Sequence, residues 1–521
     1  MATVHEENER KYDGALDRPL SAADLPQVAR VRAGGTRRLD AVYFDTAGLR
    51  LLHRGITLRR RTGGEDAGWH LKIPAADGTR TEVRLPLECG DLQHLPREMA
   101  ARTRAAAHGE PVAPVAHLRT RRDLVLLTDE DDRTLAELAR DTVSAQVLGE
   151  PARAGAGAAP AAVTSWVETE VELVDGGPDL LDEVEAELHR RGMERSVARS
   201  KLGRVLAAGP DDTVGRADRA DRADRAGLTD RAGEAPAGSV GAALTAYLRS
   251  QYALLRDLDP AVRLDEPDSV HRMRVQVRRL RSALAAHHRI LDRTAVDPLD
   301  RDLRWLGRLL GSARDAEVLG DLLAPQAERL PPAGHPAEVG ARIRTWFDAR
   351  YRESHRAVVH AMEGARYFGL LDALERLASA PPLNGRATRG KAEGRRMLRK
   401  QQRRTGRRLR GALALPPGAE HDRELHRARK AAKRTRYAAE SVTPLVGRRA
   451  VRVGRRTKRI QKPLGAHQDG VMGAQALVDI AAADPHRGET AFGLGMLHAR
   501  QRADDRRRTA EAAKAAKRLD D

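Results

Sequence analysis

Residues 4–12 read VHEENERKY, with Glu7, Glu9 and Lys11 at alternate positions. Successive side chains of a β-strand point to opposite faces, so these three charges share one face of a single strand. The same spacing returns at Arg59 and Arg61, at Arg80, Glu82 and Arg84, at Arg119 and Arg121, and at Glu168, Glu170 and Glu172. Beside the glutamates, Val167, Val171 and Leu173 take the alternate places, which turns the apolar side outward and the charged side in.

Working outward, period-two segments at AVYFDT, GITLRRRT, GWHLKIPA, TRTEVRLPL, HLRTRRDLVLLT, TLAELARDTVSAQV and SWVETEVELVD join the first one, with Gly, Asp and Pro between them. About eight antiparallel strands of this kind close a small barrel. A barrel lined with both charge signs is a poor core unless it holds a ligand, because burying a charge costs several kcal/mol unless it is closely paired. Carboxylates are hard oxygen donors suited to Mg²⁺ or Mn²⁺, while Arg and Lys suit phosphate oxygens. Together they describe a site for a metal-bound polyphosphate.

The charge of the chain is segregated. Residues 241–521 carry 58 Lys and Arg against 33 Asp and Glu, a net of +25, whereas residues 1–240 carry 35 against 41, a net of −6. Between them lies RADRADRADRAG at 216–227, whose three-residue period fits neither helix nor strand, followed by Gly, Ala and Pro. We expect a domain at 1–208, a flexible linker at 209–238 and a second domain at 239–521. The expected class is α+β and multi-domain: an N-terminal eight-stranded antiparallel β-barrel, or tunnel, and a C-terminal all-α domain.

The second region repeats itself. His271-Arg-Met-Arg274-Val-Gln-Val-Arg278-Arg-Leu-Arg281 returns as His426-Arg-Ala-Arg429-Lys-Ala-Ala-Lys433-Arg-Thr-Arg436, and Leu-Gly311-Ser-Ala-Arg-Asp315 returns as Leu-Gly465-Ala-His-Gln-Asp469. Two pseudo-symmetric helical bundles follow, at about 239–380 and 385–521. On each repeated helix the basic residues run one position behind the apolar stripe and so border the core. The repetition favours a shared anion groove over two independently solvated faces.

Glu7-Asn-Glu9-Arg-Lys11 resembles the ExExK signature of the CYTH family, the triphosphate tunnel metalloenzymes. Tyr43-Phe-Asp-Thr, Leu58-Arg-Arg-Arg61, Trp69-His-Leu-Lys72, Asp141, the Glu168/Glu170/Glu172 strand and Ser200-Lys201 follow in that family's order, over residues 4–206. The resemblance implies a metal-dependent triphosphatase acting on inorganic tripolyphosphate or another triphosphate. It implies Mg²⁺ or Mn²⁺ held by Glu7, Glu9, Glu168, Glu170 and Glu172. Catalytic roles fall to Glu7, Glu9, Lys11, Glu82 and Asp141. Phosphate contacts fall to Lys11, Arg59, Arg61, Lys72, Arg84, Arg119, Arg121 and Lys201.

The repeated helices resemble the CHAD family of histidine-containing α-helical domains, which implies inorganic polyphosphate bound by His271, Arg274, Arg278, Arg281, His426, Arg429, Lys433 and Arg436. Gln468 stands in the second copy where the first has Arg314, a departure from that pattern.

A non-catalytic polyphosphate sensor, or a scaffold at polyphosphate granules, is the alternative. Nucleic acid is the rival partner, since a +25 region binds phosphate backbones nonspecifically. Aromatics are only 3% of the chain, too few for the stacking platforms expected of a single-strand binder. Cys89 is the only cysteine, which excludes an internal disulfide. The N-terminus lacks the apolar core of a signal peptide and no stretch reaches the ~20 apolar residues of a membrane span. We expect a cytoplasmic protein without a membrane partner.

Overall fold

The computed structural model describes residues 3–74, 80–148, 163–198, 200–207, 235–483, 488 and 490–517. The chain divides into two compact units, Met1–Gly227 and Leu228–Asp521. The linker expected at 209–238 lies, as far as residue 234, outside the described residues.

The first unit is one antiparallel sheet: β1 (Thr3–Glu7), β2 (Glu9–Asp13), β3 (Arg30–Asp45), β4 (Thr57–Thr62), β5 (Gly68–Pro74), β6 (Arg80–Leu85), β7 (Ala113–Thr128), β8 (Thr134–Val147) and β9 (Val163–Leu173). Their order in the sheet is β1-β6-β5-β4-β3-β7-β8-β9-β2. The outermost strands are therefore two halves of one run of chain, parted only at Asn8. The expected first strand changes partner there, from β6 before it to β9 after it. Counted as one strand, the pair makes eight, and the sheet curls until its ends meet.

β3 is far longer than the AVYFDT segment that its hydrophobic pattern marks. Its first half, RVRAGGTRRL, is polar and glycine-rich, yet it pairs along β7. A register shift falls between Ala33 and Gly35. A Cβ on Gly34 would stand 2.8 Å from that of Leu124, so only glycine lets the strands approach at this bend.

Alternation sorts the side chains. Leu58, Trp69, Leu71, Val83 and Leu85 face outward into a cluster with Met99 of α2 (Arg97–Arg104). Tyr12, Leu138 and Val171 do the same under Leu180, Leu181, Val184 and Leu188 of α3 (Pro178–Arg190). Inside, Ala41, Leu118, Val143 and Ala145 pack on Leu202, Val205 and Leu206 of α4 (Lys201–Ala207). That short helix inserts an apolar plug and places Lys201 at its inner tip. The four-residue α1 (Arg50–His53) follows β3.

The second unit is all helical: α5 (Val240–Asp257), α6 (Asp259–Arg263), α7 (Ser269–Ala286), α8 (Arg293–Ala327), α9 (Pro336–Met362), α10 (Ala365–Ser379), α11 (Lys391–Leu413), α12 (Ala419–Ser441), α13 (Thr443–Val446), α14 (Arg448–Ala482) and α15 (Ala491–Lys517). The repeat read from two motifs extends to whole elements. α8 and α14 each have 35 residues, and each is followed by a further long helix, α9 and α15. The copies share a core in which Leu319, Leu323, Ile343 and Phe347 meet Leu477, Ile480, Leu494 and Leu497. Among the described residues no helix is long and apolar enough to cross a membrane.

Candidate functional site

Strand register brings the charges of the first unit to one inner face. β2 sets Glu9 opposite Glu172 and Lys11 opposite Glu170. β8 sets Asp141 opposite Glu168 on β9 and opposite Arg122 on β7. β6 sets Glu82 opposite Lys72 and Arg84 opposite His70. Glu7 lies opposite Arg80 in the β1–β6 register.

Three carboxylates converge beneath the α4 plug. Asp141, Glu168 and Glu170 are all buried, and one oxygen from each lies within 4.8 Å of the others. The Lys201 ammonium stands among them, 2.9 Å from Asp141, 2.6 Å from Glu168 and 2.7 Å from Glu170. Arg122 donates to both oxygens of Asp141 at 2.8 and 2.6 Å and to Glu170 at 2.6 Å. Lys11 also bonds Glu170 and stands 3.3 Å from Glu9. Burial works against ionisation of Glu170, but the charges of Lys11, Lys201 and Arg122 outweigh it and hold the group well below the ordinary carboxylate range. Glu9 is likewise opposed by burial and rescued by Lys11 and Lys72, settling at about 2.

The opposite wall is cationic. Arg59, Arg61, Lys72, Arg80 and Arg84 line the same cavity as Glu9, Lys11, Arg122, Glu170, Glu172 and Lys201, with Tyr43 among them. Arg59 donates to the Tyr43 hydroxyl at 3.3 Å. Behind this wall Glu82 is fully buried, with one oxygen 3.0 Å from His70 Nδ1 and the other bonded to Arg84. The second ring nitrogen of His70 faces the Asp66 carbonyl at 2.9 Å, and the Asp66 carboxylate pairs with Arg61.

Some expected residues are placed elsewhere. Arg119 and Arg121 have the wrong parity: they project from the outer face, 75% and 66% exposed, beside Asp40 and Asp123. Arg122 is the β7 residue that points inward. The run RTRRD offers arginine at both parities, so period alone cannot choose; the decisive signal is that Arg122 lies opposite Asp141. Asp141, expected in a catalytic role, belongs to the carboxylate cluster. Glu82 does not line the cavity, since both its oxygens are engaged behind the cations. Glu9 stands among cations, and Glu172 faces it across the strand pair.

The donor set fits a divalent ion. Three oxygens from hard ligands converge, and a cation, the Lys201 ammonium, already stands among them. Glu170, Glu168 and Asp141 would hold such an ion.

In the helical region a cleft of ≈ 690 Å³ is lined by Arg274, Arg278, Arg281, Arg304, Arg308, His426, Arg429, Lys430, Lys433 and Arg434. The two copies contribute equivalent devices. Arg274 stands 2.9 Å from Asp315, and Arg429 stands 3.8 Å from Asp469. Each arginine guanidinium lies against the glycine of its own repeated Leu-Gly, 3.5 Å from a Cβ placed on Gly311 and 3.4 Å from one placed on Gly465. Lys433 has no ion pair among the described residues. Burial, then Arg429, Arg278 and Arg274, push its ammonium down to about 6. His271 and Arg436 are not among the lining residues. Arg436 pairs within its own helix with Glu440 at 3.0 Å, and His271 lies near Arg314, its pKa lowered by burial and by that arginine. Arg304, Arg308, Lys430 and Arg434 also line the cleft but are not among the expected contacts, although Arg434 follows Lys433 inside the repeated motif as Arg279 follows Arg278.

A CYTH domain model matches residues 6–202 and a CHAD domain model residues 246–478. Two proteins of Mycobacterium tuberculosis, "Uncharacterized protein MT2285" of strain CDC 1551 / Oshkosh and "Uncharacterized protein Rv2226" of strain ATCC 25618 / H37Rv, are each 36% identical over 98% of this chain and 96% of their own. The chain belongs to the CYTH–CHAD family. Among solved structures, PptA from Streptomyces chartreusis is 22% identical, covering 54% of this chain and 99% of its own with a TM-score of 0.46. The CHAD domain of the plant Ricinus communis is 25% identical, covering 55% and 96% with a TM-score of 0.44. HpAC1 from Hippeastrum, described as having a dominant triphosphatase activity, is 20% identical over 38% and 93%, with a TM-score of 0.23. The CYTH domain marks this protein for triphosphate-related function, and its charged inner face is the candidate site.

Proposed function

We propose that the CYTH unit hydrolyses inorganic tripolyphosphate or another triphosphate with the help of Mg²⁺ or Mn²⁺, and that the CHAD unit binds inorganic polyphosphate. The observation that carries this reading is the division of one inner face into a carboxylate cluster and an arginine–lysine wall. A triphosphate is the ligand class that satisfies both: its oxygens suit the forks of Arg59, Arg61, Arg84 and Arg122 and the point charges of Lys11 and Lys72, and its accompanying cation suits the carboxylates.

A bound divalent ion would neutralise charge on the phosphate oxygens and favour deprotonation of an attacking water. The side chains supply the rest. Glu170 and Glu9, held far below the usual range, are poor proton acceptors at neutral pH, so their part is to hold cations rather than to act as a base. The guanidinium groups fix the chain and stabilise the departing phosphate. His70 and Glu82 act from behind to steady Arg84, and the Asp66 carboxylate steadies Arg61.

The test is orthophosphate release from a panel of tripolyphosphate, nucleoside triphosphates and thiamine triphosphate, with Mg²⁺ or Mn²⁺, by the full-length protein and by Glu9→Ala. Metal-dependent release from at least one triphosphate, lost in the variant, is the expected result. Tight binding with no release from any of them would favour the sensor or scaffold reading.

A further inference from the structure

The basic cleft of the helical region continues past the residues that the repeat marks out. A second cavity of ≈ 330 Å³ shares Ala285, Asp300 and Arg434 with it, so Arg434 fronts both chambers. The second chamber adds His288 at the end of α7, Arg293 at the start of α8, and Lys400 and Arg404 on α11.

Two features separate this chamber from an ordinary solvated surface. Its cations are under-neutralised: Asp297, which also lines the chamber, pairs with Arg293 at 3.6 Å, and Asp300 is already engaged by Arg281 at 3.0 Å and Arg304 at 2.8 Å, while Lys400, Arg404 and Arg434 have no ion pair among the described residues. Arg434, half-buried, has its guanidinium pushed below its ordinary value by burial and then by Arg404, Arg408 and Arg281. Like charges held together without partners are unfavourable until an anion joins them.

Geometry sets the order of filling. From Arg274 to Ala285 the α7 wall of the first chamber rises roughly 16 Å at 1.5 Å per residue. A short phosphate chain finds its cations within that length; a long one runs on past Arg434.

We infer that the two chambers form one trough for a linear phosphate polyanion, in which the His288, Arg293, Lys400 and Arg404 chamber is a second subsite that only long chains reach. This rests on the polyphosphate reading of the CHAD unit and adds to it a chain-length preference. Once the first chamber is engaged, contact with the second is intramolecular, so a modest site adds strongly to overall affinity.

The experiment uses full-length protein in EDTA, to prevent metal-dependent turnover, and inorganic polyphosphates of increasing chain length. Lys400 and Arg404 are exposed, so a Lys400→Gln/Arg404→Gln variant leaves the core intact. Wild type and variant bind tripolyphosphate and other short chains alike. Their affinities diverge at least tenfold at long lengths, and the variant's dependence on log salt is shallower by about 1.4 to 1.8, the amount expected for two lost phosphate contacts. The tunnel of the CYTH unit is identical in both proteins and cannot produce that divergence. Curves that stay parallel at every length, superimposed or offset, overturn the second subsite. An Arg278→Gln/Arg429→Gln variant that still binds long chains normally defeats the underlying polyphosphate reading instead, an outcome distinct from parallel curves.

Discussion

The Lys201 ammonium stands 2.9 Å from the Asp141 carboxylate, at the point where Glu168 and Glu170 also converge. It is the counter-charge of three buried acids and is delivered there by the α4 plug. Removing one partner from a buried ionic cluster costs about 3–5 kcal/mol. Lys201→Met is therefore expected to lower the unfolding temperature clearly in EDTA. Added Mn²⁺ or Mg²⁺ should restore more of it in the variant than it adds to wild type. Equal metal responses in the two proteins, followed by thermal unfolding, would show that the cluster is not where a divalent ion goes.

Arg122 and its neighbour Arg121 test strand parity. Arg122→Ala takes the bidentate donor from Asp141 and one of three cations from Glu170, leaving Lys201 on the first and Lys11 and Lys201 on the second, and hydrolysis of tripolyphosphate should fall by about 10²-fold or more, in line with loss of a positioned charge from a reacting site. Arg121→Ala and Arg119→Ala, on the exposed outer face, should stay within about twofold of wild type. Steady-state rates at saturating and limiting substrate separate these outcomes.

Burial, then Arg429, Arg278 and Arg274, push the Lys433 ammonium down to about 6, and Asp469 offsets them in part. Asp315 and Asp469 are engaged by Arg274 and Arg429, so neither is free to serve it. A polyanion settling in the cleft raises that pKa, so binding takes up a proton at any pH above about 6. Affinity for polyphosphate should therefore decline as pH rises from 6 to 8, by up to about tenfold per unit. Lys433→Arg, charged throughout, should flatten that slope while still binding. Isothermal titration in buffers of different ionisation enthalpy reads the proton directly.

His70 is neutral at physiological pH: burial pushes it down to about 4, and Arg59 and Arg61 assist against the pull of Glu82. A neutral imidazole has one N–H; donated from Nδ1 to Glu82, it steadies the carboxylate that holds Arg84. His70→Leu leaves the buried Glu82 carboxylate short of a partner, at a cost of about 1–3 kcal/mol in unfolding free energy. KM for tripolyphosphate should rise several-fold with kcat changed less. An unaltered KM would remove His70 from the account.

Much of this was legible in the sequence because barrel strands write their inner face at every second residue. Glu9, Lys11, Arg59, Arg61, Lys72 and Glu170 follow that rule, and the structure lines one cavity with them. The rule fails where it is degenerate. Arg119, Arg121 and Arg122 occupy both parities, and only pairing with a distant strand separates them. It fails again at β3, where a glycine bend conceals the first part of the strand, Arg30 to Asp40, behind a polar pattern. In the helical region the repeat exposed Arg274, Arg278, Arg429 and Lys433, because a twofold-repeated spacing is visible without knowing the packing. Lys400 and Arg404, on a helix outside the repeated motifs, are brought to Arg434 only by the fold.

The most direct test of the account is orthophosphate release from tripolyphosphate by wild type and by Glu170→Gln, with and without Mg²⁺ or Mn²⁺. Glu170 is chosen because Lys11, Lys201 and Arg122 all bear on it. The account predicts metal-dependent release by wild type and a loss of about 10²-fold or more in the variant. Release that needs no divalent ion, or that survives Glu170→Gln undiminished, would contradict it.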